Sequence, residues 1–353
     1  MPWLEFGGFS LEQNIAIFLA AAAVVWLAGS RLAIHADIIA ERSGLGEAFV
    51  GLVLLAVATS LPEIGRTVSA SAIGNAPLAV NSLFGGIVLQ TAVLATADLA
   101  VAQKVLTYFA PRPVLLLQGA LVVGLLGLAL AGMAGGEFLC LFQVGFWTLL
   151  LFGLYLLSLY LLRSYEGRGQ WMPVEVPEEL KAEELAGEDR SGRHGERSVA
   201  EICVRFGINS AAIFFAGMIL AQVGDALAVQ TGLGASFLGA TLLAFASALP
   251  EMSSTISAVR LGAYSMAISN IFGTNALLVA LLFLSDLFYR QGPVLDAVGP
   301  SAIFAAAMGI VATSVYLVGL IERRNRPFLG MGIDSAVVLV LYAGTLAMLY
   351  ALR

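Results

Sequence analysis

Two acidic residues stand where acids are expensive. Glu63 and Glu251 each lie within an apolar stretch, in the runs Ala58-Thr59-Ser60-Leu61-Pro62-Glu63 and Ala246-Ser247-Ala248-Leu249-Pro250-Glu251. A carboxylate at membrane depth is normally paired, protonated or solvated by a cavity. The proline just before each glutamate removes a backbone donor and clashes with the preceding turn, so a helix opens there and frees carbonyl oxygens. A carboxylate, hydroxyls and backbone carbonyls form a hard donor set suited to Na⁺, Ca²⁺ or a proton rather than to soft metals. One such motif reads equally well as a kinked helix whose glutamate bonds to a neighbour. Two at matched positions favour an ion site.

The elements that must hold these acids are helices in a bilayer. Of the 353 residues, 59% are apolar and 12% charged, about half the charged fraction of a soluble domain. Apolar runs of roughly 20 residues recur along the chain, and the alternation of a β-barrel is absent. The expected fold is all-α, with ten spans: Ile15–Ala36, Ala48–Ile73, Leu78–Ala102, Val114–Met133, Phe138–Leu162, then Ile208–Val229, Phe237–Leu261, Ser265–Phe288, Ala297–Leu320 and Ile333–Leu352. A shift of 188 positions aligns Gly44–Leu89 with Gly232–Leu277 without a gap, and 20 of those 46 positions are identical. Asp37/Asp225 and Asp98/Asp286 match at the same offset. An odd number of helices per repeat forces the second copy to enter the membrane from the opposite side. That arrangement places a transport site at the repeat interface. The expected organisation is a five-helix repeat over 1–163, a cytoplasmic linker over 164–200 and a second five-helix repeat over 201–353.

The paired blocks resemble the α-repeats of the calcium/cation antiporter (sodium/calcium exchanger) superfamily. Its signature is Gly-Thr-Ser-x-Pro-Glu on one helix and Gly-Asn-x-x-Gly-Ser-Asn-x-x-Asn/Asp on the next. The resemblance covers nearly the whole chain. It implies a ten-helix antiporter exchanging Ca²⁺ for Na⁺ or H⁺, with Glu63 and Glu251 as central ligands and Thr59, Ser60 and Ser247 beside them. The second motif departs from the pattern. In the first repeat, Gly86 stands where a hydroxyl ligand belongs and Gln90 replaces the Asn/Asp. In the second, Asn270, Gly273, Thr274 and Asn275 follow the pattern, but Leu278 occupies the final position and Ala248 lacks the usual hydroxyl. The candidate cation ligands are therefore Glu63, Glu251, Thr59, Ser60, Ser247, Thr274, Asn275 and Gln90. With fewer oxygens, the superfamily's usual ion count does not carry over.

Arg66 is the unusual residue of the set. It follows Glu63 by three positions, on the same helical face, where the second repeat has Ser254. One reading pairs its guanidinium with Glu63, so that a permanent internal counter-charge replaces a bound cation. The other extends it along the helix to the interface. Asn81 and Asn270 read as helix-to-helix hydrogen-bonding groups. Asp37, Asp98, Asp225 and Asp286 read as solvated or capping residues near helix ends, and Gly85, Gly86 and Gly273 as points of close helix approach.

Fifteen Lys and Arg residues fall on the side of the central segment and two on the other. The positive-inside rule then puts that segment in the cytoplasm and both termini outside, in the inner (plasma) membrane. The segment around 163–201 is charged, and reads as a solvated linker or as a regulatory ion-binding loop. Cys140 and Cys203 are too far apart to bridge and read as small packing residues. The expected partners are membrane lipid and inorganic cations, with no nucleic acid. No cofactor is expected; a monomer is compatible with this reading, and the sequence leaves the oligomeric state open. Two other readings remain open: a cation/proton antiporter without sodium coupling, and a non-transporting, sensor-like relative. An intramembrane hydrolase would need a Ser/His pair, paired aspartates or a His-Glu-x-x-His span, and the sequence has none.

Overall fold

The computed structural model describes residues 6–101, 105–110, 112–141, 143–166, 198–232 and 244–351. Nearly all of them are helical. The first half runs α1 (Leu11–Ser43), α2 (Glu47–Thr59), α3 (Leu61–Ala72), α4 (Ala76–Asp98), α5 (Pro113–Gly135) and α6 (Phe146–Glu166). The second half runs α7 (Val199–Gln230), a helical segment at 244–247, α8 (Leu249–Arg260), α9 (Tyr264–Phe288), α10 (Pro300–Glu322) and α11 (Ile333–Ala351). Among the described residues, eight helices are each long and apolar enough to cross a bilayer, and the bent pair α2–α3 supplies a ninth crossing. The expected span Phe237–Leu261 lies partly outside the described residues, as do Gly234, Phe237 and Gly239 of the repeat and most of the central linker.

Local chemistry sets the ends of these helices. Ser10 and Gln13 form a reciprocal capping box at the start of α1, and Asn75 and Ser198 each accept a backbone N–H at the starts of α4 and α7, satisfying donors that the first helical turn leaves unpaired. Pro113 and Pro300 open α5 and α10, where a missing N–H costs nothing. Gly74 and Gly262, matched at the repeat offset, turn the chain at φ +79° and +81°, a conformation that a Cβ disfavours.

The run Ala48–Ile73 opens next to Pro62 as expected, breaking at Ser60 with a 51° bend, and it also contains a π-helical stretch, Gly51–Leu55. One expected span needs correction. The run Phe138–Leu162 becomes helical only at Phe146, because Cys140–Leu141 (β1) and Val144–Gly145 (β2) pair as a short antiparallel ribbon. Cys140 and Cys203 are both exposed and unbridged, so neither is a core packing residue.

The core is built around α4 and α9, in which 72% and 78% of the most apolar stretch is buried, against 28% for α1 and 17% for α11. The outer helices thus present their apolar surface outward, as lipid-facing helices do. Helix α1 packs along α7 and α8, and α7 also touches α3, so the first helix of each half lies across the second helix of the other. The crossings are tight. A Cβ on Gly29 of α1 would collide with Ser253 and come within 3.2 Å of the Pro250 carbonyl, and one on Gly217 of α7 would come within 2.6 Å of the Pro62 ring. Gly29 and Gly217, like Pro62 and Pro250, are separated by the repeat offset of 188. Gly273 fits against the Leu52 backbone as expected for a close approach, and Gly86 meets Leu278 at 3.2 Å, but Gly85 has nothing within 4 Å and is not a packing contact.

Asp98 and Asp286 close the C-terminal ends of α4 and α9, and both are buried rather than solvated. Asp98 accepts from the N–H of Leu106 (2.6 Å), the N–H of Gly332 (2.6 Å) and the Ser335 hydroxyl (2.7 Å). Asp286 accepts from the N–H of Val294 (2.7 Å), the N–H of Gly145 (2.7 Å) and the Thr148 hydroxyl (2.6 Å). Each carboxylate therefore ties a core helix to the turn that follows it and to the start of the last helix of the opposite half.

Candidate cation site

The two glutamates sit just past equivalent breaks. Ser60 and Ala248 adopt almost the same backbone conformation, φ −85°, ψ 4° and φ −87°, ψ 0°, and each is followed by a helix with proline in its first turn. Pro62 and Pro250 cannot donate to the preceding turn, so the chain kinks there and resumes with Ile64 N–H on Ser60 O (3.0 Å) and Met252 N–H on Ala248 O (2.9 Å). This brings Glu63 and Glu251, from opposite halves, close enough for the Glu63 charge to act on Glu251. Glu251 is fully buried and Glu63 half-buried.

Oxygen atoms around the breaks are left without partners. Among the described residues, Glu63 Oε2, both carboxylate oxygens of Glu251, Ser60 Oγ, Gln90 Oε1, Asn270 Oδ1, Thr274 Oγ1 and Asn275 Oδ1 are buried with no hydrogen bond. Buried polar atoms are otherwise almost always satisfied, so such a concentration calls for a functional cause. The remaining hydroxyls are anchored from behind. Thr59 donates to Leu55 O (3.1 Å) and stands beside the Glu251 carboxylate, and Ser247 donates to Ala244 O (2.8 Å). Each keeps lone pairs free for a cation.

A cavity of about 30 Å³ opens between the halves, lined by Glu63, Arg66, Ser82, Gly86 and Gln90 of the first and Ser247 and Ala248 of the second. It has room for one water-sized guest. Glu251, Thr59, Ser60, Thr274 and Asn275 do not line it, so the sequence-derived ligands divide into a cavity group and a buried group behind it. Asn275 Nδ2 bonds to Thr91 (3.1 Å), beside Gln90 on α4. Asn270 Nδ2 bonds to Ser254 (3.2 Å) and Thr255 (3.0 Å), and Asn81 accepts from Ser301 (3.1 Å); both asparagines hold helices together.

Arg66 lines the cavity with Glu63 rather than extending to the interface. The expected direct pair does not form: among the described residues no carboxylate lies within ion-pair distance of it. Its charge instead acts through space on Glu63, Glu251 and Asp225 of α7. Sequence reasoning missed Thr91, Thr255 and Gln118; Gln118, buried on α5, accepts from Ser269 (2.8 Å). A glutamine inside an otherwise apolar span was the available signal.

Paired inverted repeats with broken helices around an oxygen-rich centre define the class: a polytopic membrane cation antiporter. The family model described as "Sodium/calcium exchanger protein" matches residues 13–164 and 203–351, and the chain belongs to that family. Its fold is similar to solved structures of the sodium-calcium exchanger NCX_Mj. In the form soaked with 2.5 mM Na⁺ and 0.1 mM Sr²⁺ the identity is 15% and the TM-score 0.70, over 96% of this chain and 99% of that one. In the form soaked with 10 mM Na⁺ and 10 mM Sr²⁺ the values are 14% and 0.71, with the same coverage. In the form soaked with zero Na⁺ and Ca²⁺ they are 15% and 0.68, over 96% and 100%. A comparison with curated proteins gives no match.

Proposed function

We propose that this chain is a secondary-active antiporter that moves Ca²⁺, or a similar cation, across the inner membrane in exchange for Na⁺ or H⁺. The observation that carries this reading is the group of eight buried oxygens without partners on the helices that bear the two motifs. Two nearby carboxylates left unneutralised in a low-dielectric interior repel and are poorly solvated. Binding a cation or protons removes both penalties, and an occupied, neutral centre is what lets the halves move against each other in alternating access. Glu63, Glu251, Thr59, Ser60, Ser247, Thr274, Asn275 and Gln90 are the proposed ligands. The transported ion is substrate, and no cofactor takes part. The missing oxygens at Gly86 and Leu278 support a second reading, a proton-driven antiporter without sodium coupling.

Ca²⁺ uptake into everted vesicles separates these readings. Uptake driven by an outward Na⁺ gradient supports sodium coupling, and uptake driven only by a pH gradient supports proton coupling. Absence of either, or flux that persists in both Glu63→Gln and Glu251→Gln, would sink the proposal. We further propose that the halves 1–163 and 201–353 flank a cytoplasmic linker, with both termini outside. The exposed cysteines offer a test: a membrane-impermeant maleimide added to intact cells should label Cys140 and spare Cys203.

A further inference from the structure

We propose that Arg66 is a resident cation of the transport site, taking the place of one monovalent ion so that each exchange cycle binds one fewer. This deepens the antiport reading and, for its transport consequences, rests on it. Arg66 lies on the second limb of the broken span α2–α3, half-buried, on the wall of the cavity that Glu63 also lines. A guanidinium carries its charge at every accessible pH, and this one acts on both central carboxylates. Two carboxylates and one guanidinium leave a net charge of −1, which one monovalent cation neutralises, where the carboxylates alone would need two.

The surroundings have changed together with the arginine. In the second half the equivalent residue, Ser254, is buried, donates to Glu251 O (3.1 Å) and accepts from Asn270. In the first half the positions equivalent to Asn270 and Thr274 are Ser82 and Gly86, and both line the cavity with Arg66. Shortening the opposing helix face by an amide and a hydroxyl makes the space that a long side chain needs. It also leaves one oxygen fewer to hold an ion, since Gly86 has none where Thr274 has its hydroxyl. Asp225 is the other acid that the Arg66 charge reaches; it is exposed, so its pull on the guanidinium is the more strongly screened.

The test counts bound ions on the purified full-length protein, with transport measured separately. Equilibrium Na⁺ binding is compared for wild type, Arg66→Ser, Arg66→Met (same reach, no charge) and Arg66→Lys. We expect Arg66→Ser and Arg66→Met each to bind about one more Na⁺ than wild type, Arg66→Lys to match wild type, and charge moved per Ca²⁺ in liposomes to shift by about one for the neutral variants. An unchanged count in whichever neutral variant is folded, or a Lys variant that behaves like Met, overturns the proposal. If wild type binds ions without transporting them, the antiport reading fails while the binding count still judges Arg66. If wild type binds no cation, both fail.

Discussion

The caps and the centre of this molecule have diverged at different rates. Asp98 and Asp286 each receive two backbone N–H groups and one hydroxyl, and their donors correspond at offsets of 188 or 187. Around Glu63 and Glu251 the halves differ at five positions that carry or face polar groups: Arg66 against Ser254, Ser82 against Asn270, Gly86 against Thr274, Ile87 against Asn275, Gln90 against Leu278. The caps close the core helices and answer only to the fold, which both halves share. The centre answers to an ion, and one shared ion does not require two identical half-sites. Apart from the shared glutamates, the symmetry therefore marks scaffold, and its loss marks the place where the two half-sites take different roles.

The largest expected effect falls on the symmetric part. Asp98→Ala and Asp286→Ala each strand three donors in a buried setting, and an unsatisfied buried group costs about 1–3 kcal/mol. Both should cost about 3 kcal/mol or more in thermal-unfolding measurements in detergent, by similar amounts. A cost confined to one of them would break the claim that the caps are equivalent.

Next comes the centre, where the sign reverses. Glu251 is fully buried with neither oxygen partnered among the described residues, and such a charge is destabilising until it is compensated. In cation-free buffer Glu251→Gln should raise stability, by about 1–4 kcal/mol on the scale of replaced buried charges. Glu63→Gln should gain less, because it leaves Arg66 without its cavity partner. Added cation should then stabilise wild type and not Glu251→Gln, since ligand binding to the native state shifts the equilibrium. A Glu251→Gln protein less stable than wild type without cation would mean that the carboxylate is already compensated.

Much of this was legible before any coordinates, and what was not has a common cause. The repeat, the spans and the breaks at Pro62 and Pro250 follow from hydropathy and from a ring that cannot donate. The burial of Asp98 was hidden because its donors come from residues 106, 332 and 335, which no local pattern brings together. The ribbon of Cys140–Leu141 and Val144–Gly145 reads as helix in the sequence because the segment from Phe138 to Phe146 is apolar apart from Gln143 and Gly145, and hydropathy alone cannot tell an apolar strand from an apolar helix. Gly29 and Gly217 lie outside the aligned block of the repeat, so their shared crossing emerged only from packing. The place of Arg66 in its span was legible, and only the side-chain direction decided between cavity and interface.

Those crossings give the third test. Gly29→Ala and Gly217→Ala place a methyl against Ser253 and Pro62, and overpacking of this kind costs about 1–3 kcal/mol. Gly85→Ala, in open space within the same fold, should be neutral or slightly stabilising through helix propensity. Equal behaviour of the three in thermal unfolding would show that the crossing points tolerate bulk and are not fixed contacts.

The smallest expected effect probes the asymmetry directly. Asn270→Ser gives the second half the residue that the first half carries at Ser82. It removes hydrogen bonds to Ser254 and Thr255, and interhelical hydrogen bonds between membrane helices average about 0.6 kcal/mol each. The stability loss should therefore be about 1 kcal/mol. The informative readout is cation affinity: if Asn270 Oδ1, which has no partner among the described residues, faces the ion, affinity falls several-fold beyond the stability effect. If it only fastens α8 to α9, the stability loss appears alone. The second outcome would confine the divergent chemistry to Arg66, Gly86 and Gln90 and make the first half, rather than the pair, the part of the centre that was rebuilt.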